Sequence, residues 1–140
     1  MRTLARPHPP RPLHVTIVAD NPQTLAGLEM YLRRAGVKTS GTADVEKLSE
    51  VTPPSVSVVV VFPDDFHVRS VFGALATLRR HRPNALPVLV TKEPKRFESL
   101  PPNEGGVAPL LVPRPAWSWT ILDAIRAHLD PDPSNSEKRR

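Results

Sequence analysis

The segment "VSVVVVFPDDF", Val56 to Phe66, decides the fold. Apart from Ser57, its first seven residues are apolar, with no polar alternation. That is the pattern of a strand covered on both faces, as in a parallel sheet. The run then meets Phe62, Pro63 and two acids, Asp64 and Asp65, so the strand ends in a short acidic loop.

The flanking sequence alternates helix and strand. Downstream, Val68, Val71, Phe72, Leu75 and Leu78 form a helical stripe. Arg79, Arg80, His81 and Arg82 close it with cations, where the helix dipole favours them. "LPVLVT" (Leu86–Thr91) and "APLLVP" (Ala108–Pro113) read as further strands. A last helix is placed from near Pro115, carrying Trp117, Ile121, Leu122, Ile125 and Leu129. Upstream, "HVTIVAD" (His14–Asp20) is another buried strand. Asn21 can cap the helix that follows and Pro22 can take its first position. Leu25, Leu28, Leu32 and Ala35 recur at helical spacing, and Gly36 ends the run. "VKTSGTA" (Val37–Ala43) is a weaker, β-branched strand, and "DVEKLSE" (Asp44–Glu50) a short helix with Asp44 as cap. Pro53 and Pro54 then break the chain.

Strands and helices in alternation predict an α/β fold with a five-stranded parallel sheet in the flavodoxin-like order 2-1-3-4-5, helices on both faces. The fourth helix is expected to be short or degenerate. Pro94, Pro101, Pro102, Gly105 and Gly106 leave it about two turns, around Lys95–Leu100.

The 140 residues fit one domain, placed at residues 13–129. Residues 1–12 hold Pro7, Pro9, Pro10 and Pro12 and read as a disordered Pro/Arg-rich arm; residues 130–140 read as a polar disordered tail, leaving no output domain. The arm contains "PHPP" and "PPRP", both of the P-x-x-P form that aromatic grooves accept, although a plain linker has the same composition. Cysteine is absent, which excludes disulfides, thiolate metal sites and cysteine nucleophiles and suits a reducing cytoplasm. No apolar stretch approaches the ~18 residues of a membrane span, and no secretory signal is present. Net charge is +5, with Arg2, Arg6 and Arg11 in the arm; a basic stripe on the folded part is missing, so nucleic-acid binding is disfavoured. His8, His14, His67, His81 and His128 lack metal-ligand spacing. Without a phosphate-cradling glycine loop or a nucleophile elbow, the chain is not expected to be an enzyme.

"TIVADNPQTLAGLEMYLRRAG", "LPVLVT" and "ILDAIRAHL" resemble the first strand and helix, the fourth strand and the last helix of response-regulator receiver (CheY-like) domains, over residues 13–129. The resemblance implies a phosphoryl site of five parts. Two acids after the first strand hold Mg²⁺, and an aspartate ending the third strand accepts the phosphoryl group. A Thr or Ser ending the fourth strand contacts the phosphoryl oxygens, and a lysine before a cis proline supplies a cation. Here the acid pair reads Ala19-Asp20. The acceptor position falls on Phe62 or Pro63. Thr91 matches the Thr/Ser position. The lysine is replaced, by Arg114 before Pro115 or by Val112 before Pro113, according to register. Asp20, lying just before Asn21-Pro22, would also simply favour the helix dipole.

Two readings follow. In the first, the chain is a stand-alone pseudo-receiver with a degenerate site and no cofactor. It acts by phosphorylation-independent protein–protein contact as an adaptor or regulator in bacterial signalling, its partner a kinase, another regulator, a scaffold or a second copy. In the alternative, Asp64 or Asp65 accepts phosphate with Asp20, Mg²⁺ and Arg114. A third reading has the basic arm touch nucleic acid. For the partner surface, helical spacing puts Trp117 in the core beside Ile121 and Ile125, and leaves Trp119 at least half exposed near Arg126. The resemblance therefore suggests Trp119, Arg126 and Arg114 as partner-binding candidates on the fourth helix–fifth strand–fifth helix face, through which receivers often pair; a Trp lying along its own helix edge would look the same.

Overall fold

The computed structural model describes residues 13–100 and 108–129. The arm and tail expected at 1–12 and 130–140 lie outside the described residues. Five parallel strands, β1 (His14–Val18), β2 (Lys38–Thr42), β3 (Val58–Val61), β4 (Leu86–Thr91) and β5 (Leu110–Pro113), form one sheet in the order β2-β1-β3-β4-β5. This is the 2-1-3-4-5 order predicted from the alternation.

β3 lies at the centre because it has nothing polar to offer water. Val58, Val59, Val60 and Val61 are all fully buried, each contributing about 1.5–3 kcal/mol relative to exposure. Their side chains alternate between two core layers. Val58, Val60 and Phe62 join Ile17, Ala19, Ile121 and Ile125 under helices α1 (Pro22–Arg34) and α4 (Ser118–Leu129). Val59 and Val61 join Val45, Leu48, Val71 and Leu78 under α2 (Leu48–Val51) and α3 (Val68–His81) on the opposite face.

Local signals set the boundaries. Asn21 Oδ1 accepts from the N–H groups of Gln23 and Thr24 at the start of α1, with Pro22 in its first turn. Gly36 closes α1 at φ 86°, with Gly36 N–H bonded to the Arg33 carbonyl and Val37 N–H to that of Leu32, a Schellman closure. Asp44 caps a 3₁₀ turn, Val45–Lys47, that leads into α2. The fourth helical position is reduced to one 3₁₀ turn, Pro94–Phe97, whose buried Phe97 meets Phe72 edge-on at 5.7 Å.

The last helix departs from the sequence reading. It begins at Ser118, not near Pro115. Trp117 precedes it and only its carbonyl takes part, accepting from Ile121 N–H at 3.1 Å. Helical spacing does not apply to a residue outside the helix, so Trp117 is not core: it is 66% exposed.

Candidate functional site

The C-terminal ends of β1, β3, β4 and β5 share one edge of the sheet, where the crossovers of this topology leave room for a site. Strand pairing fixes what each end presents. Phe62 N–H continues the ladder to the Val18 carbonyl, so Phe62 directly follows β3. Its ring is 5% exposed and packed in the layer of Ala19 and Val112. Of the two positions to which the resemblance gives the acceptor, Phe62 and Pro63, the first holds a buried hydrocarbon ring. Pro63, also buried, starts a 3₁₀ turn, Pro63–Asp65. Such a turn advances only about 2 Å per residue, against about 3.3 Å in a strand. Asp64 is thus kept close over the ends of β4 and β5.

Three donors converge on the Asp64 carboxylate. Thr91 Oγ1 donates to Oδ1 at 2.6 Å, and Lys92 N–H donates to Oδ2 at 2.9 Å. Arg114 Nη1 stands 3.5 Å from Oδ2. The Thr91 hydroxyl is buried and spends both of its roles, since it also accepts from Glu93 N–H at 3.0 Å. Arg114 is anchored by its own N–H on the Thr91 carbonyl, and its guanidinium lies 5.8 Å from the Phe62 ring centre. Partial burial pushes the Asp64 pKa up. The hydrogen bonds from Thr91 and Lys92 and the charges of Arg114 and Lys92 outweigh it, holding the carboxyl below its ordinary value.

The register left open between Val112 and Arg114 is resolved by this geometry. Val112 is a buried strand residue paired with Val90, while Arg114 reaches the site, and the Arg114–Pro115 peptide is cis. Ala19 is buried and Asp20 exposed; Asp20 makes no hydrogen bond or ion pair among the described residues. The Mg²⁺ that active receivers use does not fit this set. Ala19 supplies no side-chain oxygen, both Asp64 oxygens already face donors, and no group of three or more His, Asp or Glu side chains gathers among the described residues.

Sequence reasoning missed two features here. The Lys92 donor is a backbone N–H, which no side-chain pattern reveals. The second is aromatic. Trp117 and Trp119 stack at 5.1 Å with their planes 4° apart. Trp119 is 50% exposed, as its spacing suggested. With Trp117 and with Gly27, Met30, Tyr31 and Arg34 of α1 it lines an open groove of about 290 Å³; Arg126 stands exposed two turns further along α4.

No family model matches the chain, and no curated protein matches it. Solved structures do. A chemotaxis response regulator of Vibrio cholerae superposes with a TM-score of 0.67 at 16% identity, covering 83% of this chain and 98% of that one. A CheY-like receiver domain protein of Methanospirillum hungatei gives 0.66 at 17%, covering 93% and 100%. The non-phosphorylated HemR receiver domain of Leptospira biflexa gives 0.67 at 13%, covering 84% and 94%. The chain therefore has the CheY-like receiver fold. Among the described residues, no helix is long and apolar enough to cross a membrane.

Proposed function

We propose that this chain is a pseudo-receiver: a cytoplasmic, non-enzymatic adaptor or regulator in bacterial signalling that works by protein contact and does not accept phosphate. One observation carries the reading. The groups that the resemblance assigns to a phosphoryl ligand, the Thr91 hydroxyl and the cation of Arg114, are both engaged by the chain's own Asp64 carboxylate. An internal anion takes the contacts of a transferable one, and a buried phenyl ring stands where the nucleophile would be. Phosphoryl transfer rests on positioning and electrostatics, so an acid displaced along the chain and already held by three donors is a poor acceptor.

The fixed contacts of Asp64 also tie the Pro63–Asp65 turn to β4 and to the residue after β5. Partners would meet this edge in one state, without a switch. The test is intact mass after acetyl phosphate with Mg²⁺, with Asp64→Ala as control. No added phosphoryl group is expected on either protein. A phosphoryl adduct on the parent chain that Asp64→Ala loses would establish Asp64 as a relocated acceptor and overturn the reading.

A further inference from the structure

The Trp117–Trp119 groove is not explained by the Asp64 site. Two stacked indoles, each half or more exposed, together with the exposed Met30, leave apolar surface in water beside α1. Flat aromatic walls of this kind suit a polyproline II strand, whose rings stack on indoles and which loses little entropy on binding. The chain itself carries such a segment, "PHPPRP", Pro7 to Pro12.

Where that segment joins the fold is fixed. Leu13 packs on the same core layer as Tyr31 and Ala116, and its carbonyl accepts from Lys38 N–H at 2.9 Å. Lys38 lies four residues past Arg34, which borders the groove at the end of α1. Six residues in polyproline II reach about 19 Å. The whole of α1 is about 20 Å long. A six-residue polyproline II strand leading to Leu13 is therefore long enough to span from there to the indoles on the same face of the sheet. Asp123 stands one helical turn from Trp119, exposed and with no ion pair among the described residues, and offers a carboxylate to Arg6 or Arg11.

We propose that the Trp117–Trp119 groove binds the chain's own proline-rich segment, Pro7–Pro12, in a polyproline II conformation. The groove is then a peptide site covered in cis, which an outside proline-rich peptide reaches only by displacing the segment.

The chain's lack of cysteine and its two tryptophans allow a direct test on the full chain. His8→Cys carries a nitroxide label, and the two indole N–H signals are followed by NMR. Docking in cis predicts loss of both signals in the labelled chain. It predicts no loss when ¹⁵N chain is mixed with labelled unenriched chain. It also predicts recovery when Pro7, Pro9, Pro10 and Pro12 are all changed to serine, with the β3 amide signals unmoved as the check on folding. Indole signals that stay sharp in the labelled chain would overturn the proposal. Broadening seen only in the mixture would assign the segment to a second copy and overturn docking in cis. Broadening that survives the serine changes would come from a loose arm passing by, and would overturn it too.

Discussion

Arg114 and Trp117 are three residues apart in sequence, and the regions they belong to have taken opposite courses. Around Arg114, polar groups satisfy one another. Thr91, Lys92 and Arg114 all face Asp64, and the Thr91 hydroxyl has both its donor and acceptor roles filled. Around Trp117, large apolar rings stand in water and have mainly each other as cover. A hydrogen bond to a charged group contributes about 1.5–3 kcal/mol, so the first region gains its stability inside the chain. The second gives up stability that burial would supply at about 25 cal/mol per Å². A receiver fold at work as a phospho-switch keeps its polar site open to a phosphodonor. On the proposed reading, this chain has closed its polar site on an internal carboxylate and carries an aromatic groove beside α1, which suits a contact module.

The largest effect expected from breaking that contrast is at Phe62. Phe62→Asp puts an acid back at the end of β3 but places it in the Ala19–Val112 layer. Loss of the ring alone costs about 3–5 kcal/mol, and a buried carboxylate adds to it. Urea unfolding should show a collapse of the midpoint. A stable Phe62→Asp protein would mean that the site is less sealed than the packing indicates.

Thr91→Val should cost less, about 1 kcal/mol, because it leaves Glu93 N–H and Asp64 Oδ1 each one partner short while water still reaches the Asp64 side chain, 24% exposed. The check is the same urea curve. An unchanged midpoint would mean the Asp64 contacts contribute nothing.

Acid sharpens the comparison further. Asp64 is held below its ordinary value of 3.8, so the unfolded chain takes up the proton more readily than the folded one. Its contribution is complete above about pH 4 and is lost as pH falls through the lower folded value. The parent chain should therefore lose stability below pH 4 more steeply than Asp64→Asn, seen as converging thermal midpoints. Parallel curves would remove Asp64 from the account.

The smallest effect is expected at the aromatic region. Trp117→Ser should change stability by no more than about 0.5 kcal/mol, since an exposed side chain has little burial to lose. A loss like that at Phe62 would show the indole to be structural.

Much of the fold was legible in the sequence because β3, β4 and β5 have no polar alternation. The Val58–Val61 run admits only a central parallel strand, and the Asn21-Pro22 start and Gly36 stop of α1 act through local chemistry that needs no tertiary context. The fourth helical position was legible for the same reason, from its prolines and glycines. The site was half legible. Phe62 and Thr91 could be placed by counting along strands, but the reach of Asp64 depends on how tightly the Pro63–Asp65 turn closes, and the Lys92 donor belongs to the backbone. Trp117 was misplaced because helical periodicity was extended one residue beyond the point where the helix begins. The groove beside α1 joins residues some 90 apart in sequence, Tyr31 and Trp119 among them, which no local pattern brings together.

The measurement that bears most directly on the closed site is beryllofluoride, a phosphoryl mimic that binds acceptor carboxylates, added with Mg²⁺ to ¹⁵N-labelled protein while the amide signals of Phe62 to Asp65 and of Lys92 are followed. None of them is expected to move, because the Asp64 carboxylate already occupies the contacts with Thr91, Lys92 and Arg114 that the mimic would need. Saturable shifts at Lys92 and Asp64, absent in Asp64→Ala, would show a carboxylate free to take a phosphoryl group and would contradict it.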